Sequence, residues 1–138
     1  PQRAPREGPQ ETHPVRFGVA LRHPRSARVL RPADFARLRE SGRRLGTQQL
    51  NIQYCKRDEP GARLGMAISR RVSKLAVARN RIRRQIRESF RLHRARLPDC
   101  DILVIARPSA VQQSNAQLRA ELESLWSQLA ERVAAIDR

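Results

Sequence analysis

Aromatic residues are scarce in this 138-residue chain: three Phe, one Tyr and one Trp, or 4% of the whole. Lysine is scarcer still, with two residues against 27 Arg. Two Cys and three His give a metal centre little to work with. Cys55 and Cys100 have no metal-ligand spacing, so in a reducing compartment they read as buried thiols rather than as a disulfide or as zinc ligands with His93. No apolar run approaches the roughly 18 residues of a membrane span. The longest, Ile102 to Ala106, has the length of a strand, and Phe17 to Leu21 is too short for a secretory segment. A cytoplasmic protein away from membranes is therefore expected. Hydrolytic chemistry needs a nucleophile with its base, two poised carboxylates or a metal cluster. Asp99 and Asp101, in a turn before a strand, come nearest, and as a metal pair they are poor; no catalytic and no metal-binding residue is expected in the chain.

What the sequence does have is positive charge. A formal net charge of +16 and a pI near 11.8 call for a polyanionic partner. The charge is concentrated: residues 70 to 96 hold eleven Arg or Lys and one acidic residue, Glu88. The preference for Arg matters, because a guanidinium fork grips phosphate through two parallel hydrogen bonds and stacks on bases, whereas an ammonium does neither.

From Val72 to Leu97 no Gly or Pro interrupts, Ser73 is placed to cap the start and Pro98 to stop the end, so the spacing predicts one long helix. At about 100° per residue, Leu75, Ala78, Ile82, Ile86, Ser89, Phe90 and Leu97 share one arc. Asn80, Arg83, Arg84, Arg87, Arg91 and Arg94 share the opposite one. Like charges four residues apart cost an isolated helix about 0.2 to 0.5 kcal/mol each. Glu88 alone offsets them, which points to an external source of negative charge. A merely solvated face would mix signs.

The remainder of the chain reads as a single domain. Residues 1–24 hold five Pro and little periodic apolar content, so a disordered basic tail is expected before one domain at 25–138, whose charge suits nucleic acid or an anionic membrane surface. Pro32 and Gly42 bracket a short helix, Ala33 to Ser41, with Phe35 and Leu38 inward. Gln48 to Cys55 alternates as a half-buried strand, and after a Pro60-Gly61 turn so does Leu64 to Ser69, which predicts an antiparallel hairpin. The small face Gly65, Ala67 and Ser69 suits either a groove floor or tight helix packing. Asp101 to Arg107 reads as a strand covered on both faces and parallel to a neighbour, with the arginine helix as the crossover. Ser114 and Gln117 form a capping box for a last amphipathic helix carrying Leu118, Leu122, Leu125, Leu129, Val133 and Ile136, and Trp126 adds to its core. The fold class is α/β, an α+β sandwich-like arrangement of about four strands in a small mixed sheet, with short, long and C-terminal helices.

The run Ala76-Val77-Ala78-Arg79-Asn80-Arg81-Ile82-Arg83-Arg84, continued by Ile86-Arg87-Glu88-Ser89-Phe90-Arg91, resembles the RNR signature of the protein subunit of bacterial ribonuclease P. Leu64 to Arg71, Leu97 to Arg107 and Leu30 to Phe35 with Gly42 are similar to that family's flanking strands and first helix. The resemblance spans about residues 28 to 135. It implies a left-handed crossover, where the general expectation is right-handed. It also implies a ribonucleoprotein whose RNA subunit, with Mg2+ bound mainly by the RNA, removes the 5′ leader from precursor tRNA while the protein holds RNA and leader.

Carried onto this chain, Arg79, Asn80, Arg81, Arg83, Arg84, Arg87 and Arg91 are implied to contact the catalytic RNA and the substrate. The implied leader-binding cleft takes in Phe35, Arg39, Gln53, Tyr54, Ser69, Arg70 and Arg71. The chain departs from the family in aromatics: Arg39 and Gln53 stand where relatives often stack, and Tyr54 sits one place along, on the opposite strand face unless the register slips. That shifts weight to Arg70 and Arg71. Phe35 reads equally as a stacking platform or as core. No obligate protein partner is expected. Two other classes compete: a ribosomal or RNA-chaperone protein without a ribonuclease role, and a DNA-binding protein, for which only Asn80 and Gln85 on the helix are base-edge readers besides Arg.

Overall fold

The computed structural model describes Arg28 and residues 31–137. The expectation of a disordered tail at 1–24 lies outside the described residues. The order of elements is α1 (Pro32–Ser41), β1 (Arg43–Gly46), β2 (Leu50–Lys56), β3 (Arg63–Ala67), α2 (Ala76–His93), β4 (Cys100–Ala106) and α3 (Asn115–Asp137). Short 3-10 turns at Arg94–Arg96 and Pro108–Gln112 flank β4.

Pro32 opens α1, as its fixed φ favours, and Gly42 closes it by donating its N–H to the Leu38 carbonyl. The capping box of α3 is formed reciprocally: the Gln117 N–H donates to Ser114 Oγ at 3.1 Å, and the Ser114 N–H to Gln117 Oε1 at 2.8 Å.

The four strands form one sheet in the order β1-β2-β4-β3. β4 pairs antiparallel with β2 and parallel with β3, so α2 is the crossover between parallel neighbours. The expected hairpin of β2 with β3 is not formed, because β4 lies between them. The physical reason is the uninterrupted apolar run of β4: a strand buried on both faces takes a central position, and an edge position would expose it. A hairpin does exist one element earlier, where β1 folds back on β2 around Thr47. Its hydroxyl accepts from the N–H groups of Gln49 and Leu50, both at 3.2 Å. β1 carries only Leu45 as a buried residue, too little pattern to announce a separate strand.

Strand register sorts the residues. Leu50, Ile52 and Tyr54 pair with Ala106, Val104 and Ile102, and with Leu64 they face α2 and α3. There Ile82, Ile86 and Phe90 of α2 meet Leu118, Leu122, Leu125, Trp126 and Leu129 of α3 to form the main core. Trp126 is buried as expected, lying edge-on to Phe90 with centroids 6.0 Å apart and donating its indole N–H to Ser89 Oγ at 2.8 Å. Truncating a fully buried Phe such as Phe90 to Ala costs about 3 to 5 kcal/mol, so this seam fixes which side of α2 faces outward.

The arginine helix is shorter than its sequence allows. It begins at Ala76, and Ser73 does not cap it: the Ser73 hydroxyl accepts from the Leu75 N–H in a local turn at 3.1 Å. Leu75, expected on the packed arc, is the extended N-cap residue and 69% exposed, since helical periodicity does not reach it. At the other end, α2 gives way to the 3-10 turn at Arg94–Arg96, and Leu97 is buried beyond it.

Candidate nucleic-acid interface

With Ile82, Ile86 and Phe90 pinned inward, the opposite side of α2 faces solvent. Asn80, Arg83, Arg84, Arg87 and Arg91 stand together on that side, exposed or half-buried. Asn80 Oδ1 accepts from Arg83 Nη1 at 2.7 Å, so the neutral amide in the arginine run sets the direction of the next guanidinium. Glu88 pairs with Arg91, and among the described residues no ion pair involves Arg83, Arg84 or Arg87. The helix therefore runs from Asn80 to Arg91 without a break, and on this side these residues stay exposed or half-buried among the described residues.

Two of the seven residues assigned to RNA are turned towards the protein. Arg81 donates through Nη1 to Asn115 Oδ1 at 2.8 Å and through Nη2 to the Val111 carbonyl at 3.0 Å, tying α2 to the approach to α3. Arg79 donates to the Ser73 carbonyl at 2.9 Å and closes the turn before the helix.

A second surface lies on the other face of the sheet. Register places Asn51, Gln53 and Cys55 there with Asp101, Leu103 and Ile105 and with Arg63, Gly65 and Ala67. α1 covers only part of it, burying Leu38 against Leu103 with Phe35, Cys55, Ala67 and Ile105 alongside. Of the residues assigned to the cleft, Phe35 is half-buried at the side of α1, Arg39 is exposed on α1, and Ser69, Arg70 and Arg71 are exposed after β3. Gln53 is 7% exposed, and its Oε1 has no hydrogen-bond partner among the described residues. Tyr54 is a correction: the register does not slip, so its ring is on the α3 side, 3% exposed in the main core, and takes no part in this surface. The small face is divided in use, with Ala67 packed beside α1 and Ser69 open to solvent.

The sequence reading missed one feature of this face. Asp101, at the start of the strand expected over Asp101 to Arg107, lies within β4 and is fully buried, so it is no turn residue free to pair with Asp99. Arg63 grips both its oxygens, Nε to Oδ1 at 2.7 Å and Nη2 to Oδ2 at 2.9 Å. Arg37 of α1 donates to Oδ2, and Arg57 Nε stands 3.5 Å from Oδ1. Arg63 also reaches Asp34 Oδ1 at 3.3 Å. The hydrogen bond to Asp101 holds the Arg63 guanidinium above its ordinary pKa. The available signal was a carboxylate at the head of a buried strand, which demands partners wherever they come from.

Asp99 and Asp101 do not suit a metal ion, since Asp99 Oδ1 accepts the Gly61 N–H at 2.8 Å and Asp101 is enclosed by arginines. Among the described residues no three His, Cys, Asp or Glu side chains are grouped to hold one. Cys55 and Cys100 are both free, and burial pushes the Cys100 thiol up to about 12. Among the described residues no helix is long and apolar enough to cross a membrane.

Comparison with known proteins agrees with this geometry. The family model described as Ribonuclease P matches residues 23–130. A ribonuclease P protein component from Thioalkalivibrio sulfidiphilus is 39% identical over 106 residues, covering 77% of this chain and 88% of that one. One from Yersinia enterocolitica is 36% identical over 108 residues, covering 78% and 91%. Among solved structures, the RNase P protein of Staphylococcus aureus superimposes with a TM-score of 0.70 at 32% identity, covering 75% of this chain and 97% of that one. The readings as a general RNA chaperone or a DNA-binding protein give way to this match. The chain belongs to the ribonuclease P protein family, and its role is that of the RNA-binding protein component of this tRNA-processing endoribonuclease.

Proposed function

We propose that the exposed side of α2 docks on the folded ribonuclease P RNA, and that the part-covered sheet face beside α1 receives the single-stranded 5′ leader of precursor tRNA. In this reading the RNA subunit cleaves the phosphodiester with its own Mg2+, and the protein contributes binding and orientation. The observation that carries it is the unbroken set Asn80, Arg83, Arg84, Arg87 and Arg91, held outward by the core on the other side of the helix.

Chemically, guanidinium groups in a row neutralise neighbouring phosphates and release their counterions, which lets two polyanions, catalytic RNA and substrate, approach one another. Fewer Mg2+ ions are then needed to screen the assembly. In the leader groove Phe35 is, among the described residues, the one aromatic available for base stacking. Arg39, Arg70 and Arg71 supply charge at its margins, and Gln53 a polar floor. The grip on the leader is thus mainly electrostatic. Work on precursor tRNA assigns the chain to the bacterial cytoplasm.

Reconstitution tests this. At low Mg2+, adding the chain to ribonuclease P RNA is expected to restore leader removal from precursor tRNA, while the chain alone cleaves nothing at any Mg2+ concentration. Protein-only cleavage abolished by replacing one carboxylate, or no gain from adding the chain, would overturn the proposal.

A further inference from the structure

α1 needs more than apolar contact to hold its place. A ten-residue helix is marginal by itself, and among its described side chains α1 buries only Leu38 completely. Phe35 adds a half-buried apolar contact, and the polar anchors come from one flank. Asp34 and Arg37, three apart and therefore neighbours on the helix surface, reach Arg63 and Asp101. Phe35 and Arg39, four apart, occupy the other flank. Leu38 lies between as a pivot against Leu103.

We infer that Asp101 is a positioning residue: through Arg37 it fixes the rotation of α1 about its axis, and so sets where Phe35 and Arg39 stand over the groove. A fully buried carboxylate shared by Arg37, Arg57 and Arg63 is a poor way to gain net stability, because desolvation offsets most of the Coulombic attraction. It is a good way to select one geometry, since the Arg63 fork on β3, one nitrogen of Arg37 on α1 and the Arg57 Nε after β2 must all converge on two oxygens. Arg63 and Arg57 hold Asp101 to the sheet, and Arg37 transmits its position to the helix. The consequence for function rests on the reading of the α1–sheet groove as the leader site.

The test uses the reconstituted holoenzyme with Arg37→Gln, Arg37→Lys and Asp101→Asn, comparing binding of precursor tRNA with that of mature tRNA lacking a leader. Arg37→Gln is the primary variant, because it leaves Asp101 with Arg63 and Arg57. It is expected to keep the melting transition and the affinity for ribonuclease P RNA, and to weaken binding of the precursor about tenfold, the order expected for losing one stacked base. Binding of mature tRNA should not change, Arg37→Lys should recover part of the loss, and Asp101→Asn should show the same selective loss. Leader discrimination equal to wild type in Arg37→Gln would overturn the inference. So would a parallel loss of affinity for ribonuclease P RNA, which would mark a structural role only. A wild-type holoenzyme that binds precursor and mature tRNA equally would instead remove the groove reading, and the inference with it.

Discussion

Two groups of arginines in this molecule are chemically identical and do opposite things. Arg83, Arg84 and Arg87 on α2 have no acidic partner among the described residues and face solvent, whereas Arg37, Arg57 and Arg63 converge on one buried carboxylate. In the first group no described carboxylate relieves the repulsion, and in the proposed docking on RNA an outside polyanion supplies the compensation. In the second, compensation is internal, and the charge is spent on geometry. The difference lies in whether the fold delivers a carboxylate, so an arginine count alone overstates the binding surface.

The largest effect should come from breaking the internal group. Asp101→Ala leaves converging guanidiniums without their counter-charge, and a loss of about 3 to 5 kcal/mol is expected in chemical denaturation. A loss below about 1 kcal/mol would show that the buried group tolerates being unpaired. Next, Arg83→Ala with Arg87→Ala should cut affinity for ribonuclease P RNA by about tenfold or more and flatten the slope of log K against log salt by about one to two counterions. Thermal stability should hold or rise slightly, because like charges are removed. An unchanged salt slope would mean that RNA docks elsewhere. The smallest effect sharpens the boundary between the groups. Arg81, inside the same signature, is bonded to Asn115 and the Val111 carbonyl. Arg81→Ala should cost about 1 kcal/mol of stability while changing the salt slope less than the Arg83/Arg87 pair does. A slope change as large as theirs would move Arg81 into the RNA-facing group.

Much of the fold was legible because its signals are local. Pro32 and Gly42 bounded α1, Ser114 and Gln117 capped α3, and Ile82, Ile86 and Phe90 set the buried side of α2. The same periodicity placed Trp126 in the core and Asn80 with Arg83, Arg84, Arg87 and Arg91 on the open side. It failed at the ends of α2, where Leu75 kept the spacing of a core residue although the helix had not begun. It failed again for the hairpin, because alternation in β2 and β3 says that each is half-covered and says nothing about which strand lies between them.

By itself, then, the sequence determined that a long cationic helix exists and which of its sides is apolar, since side chains three and four apart share a face whatever surrounds them. Only the tertiary structure decided which arginines remain available to RNA. Arg37 finds Asp101 across 64 positions and Arg63 finds it across 38, and such pairings are created by strand order, with no trace in the spacing of neighbouring residues. The same closure of the sheet turned Tyr54 into the core and left Gln53 and Phe35 on the opposite face. A side chain's type fixes what it can bond to, and the partner brought within about 3 Å fixes what it does.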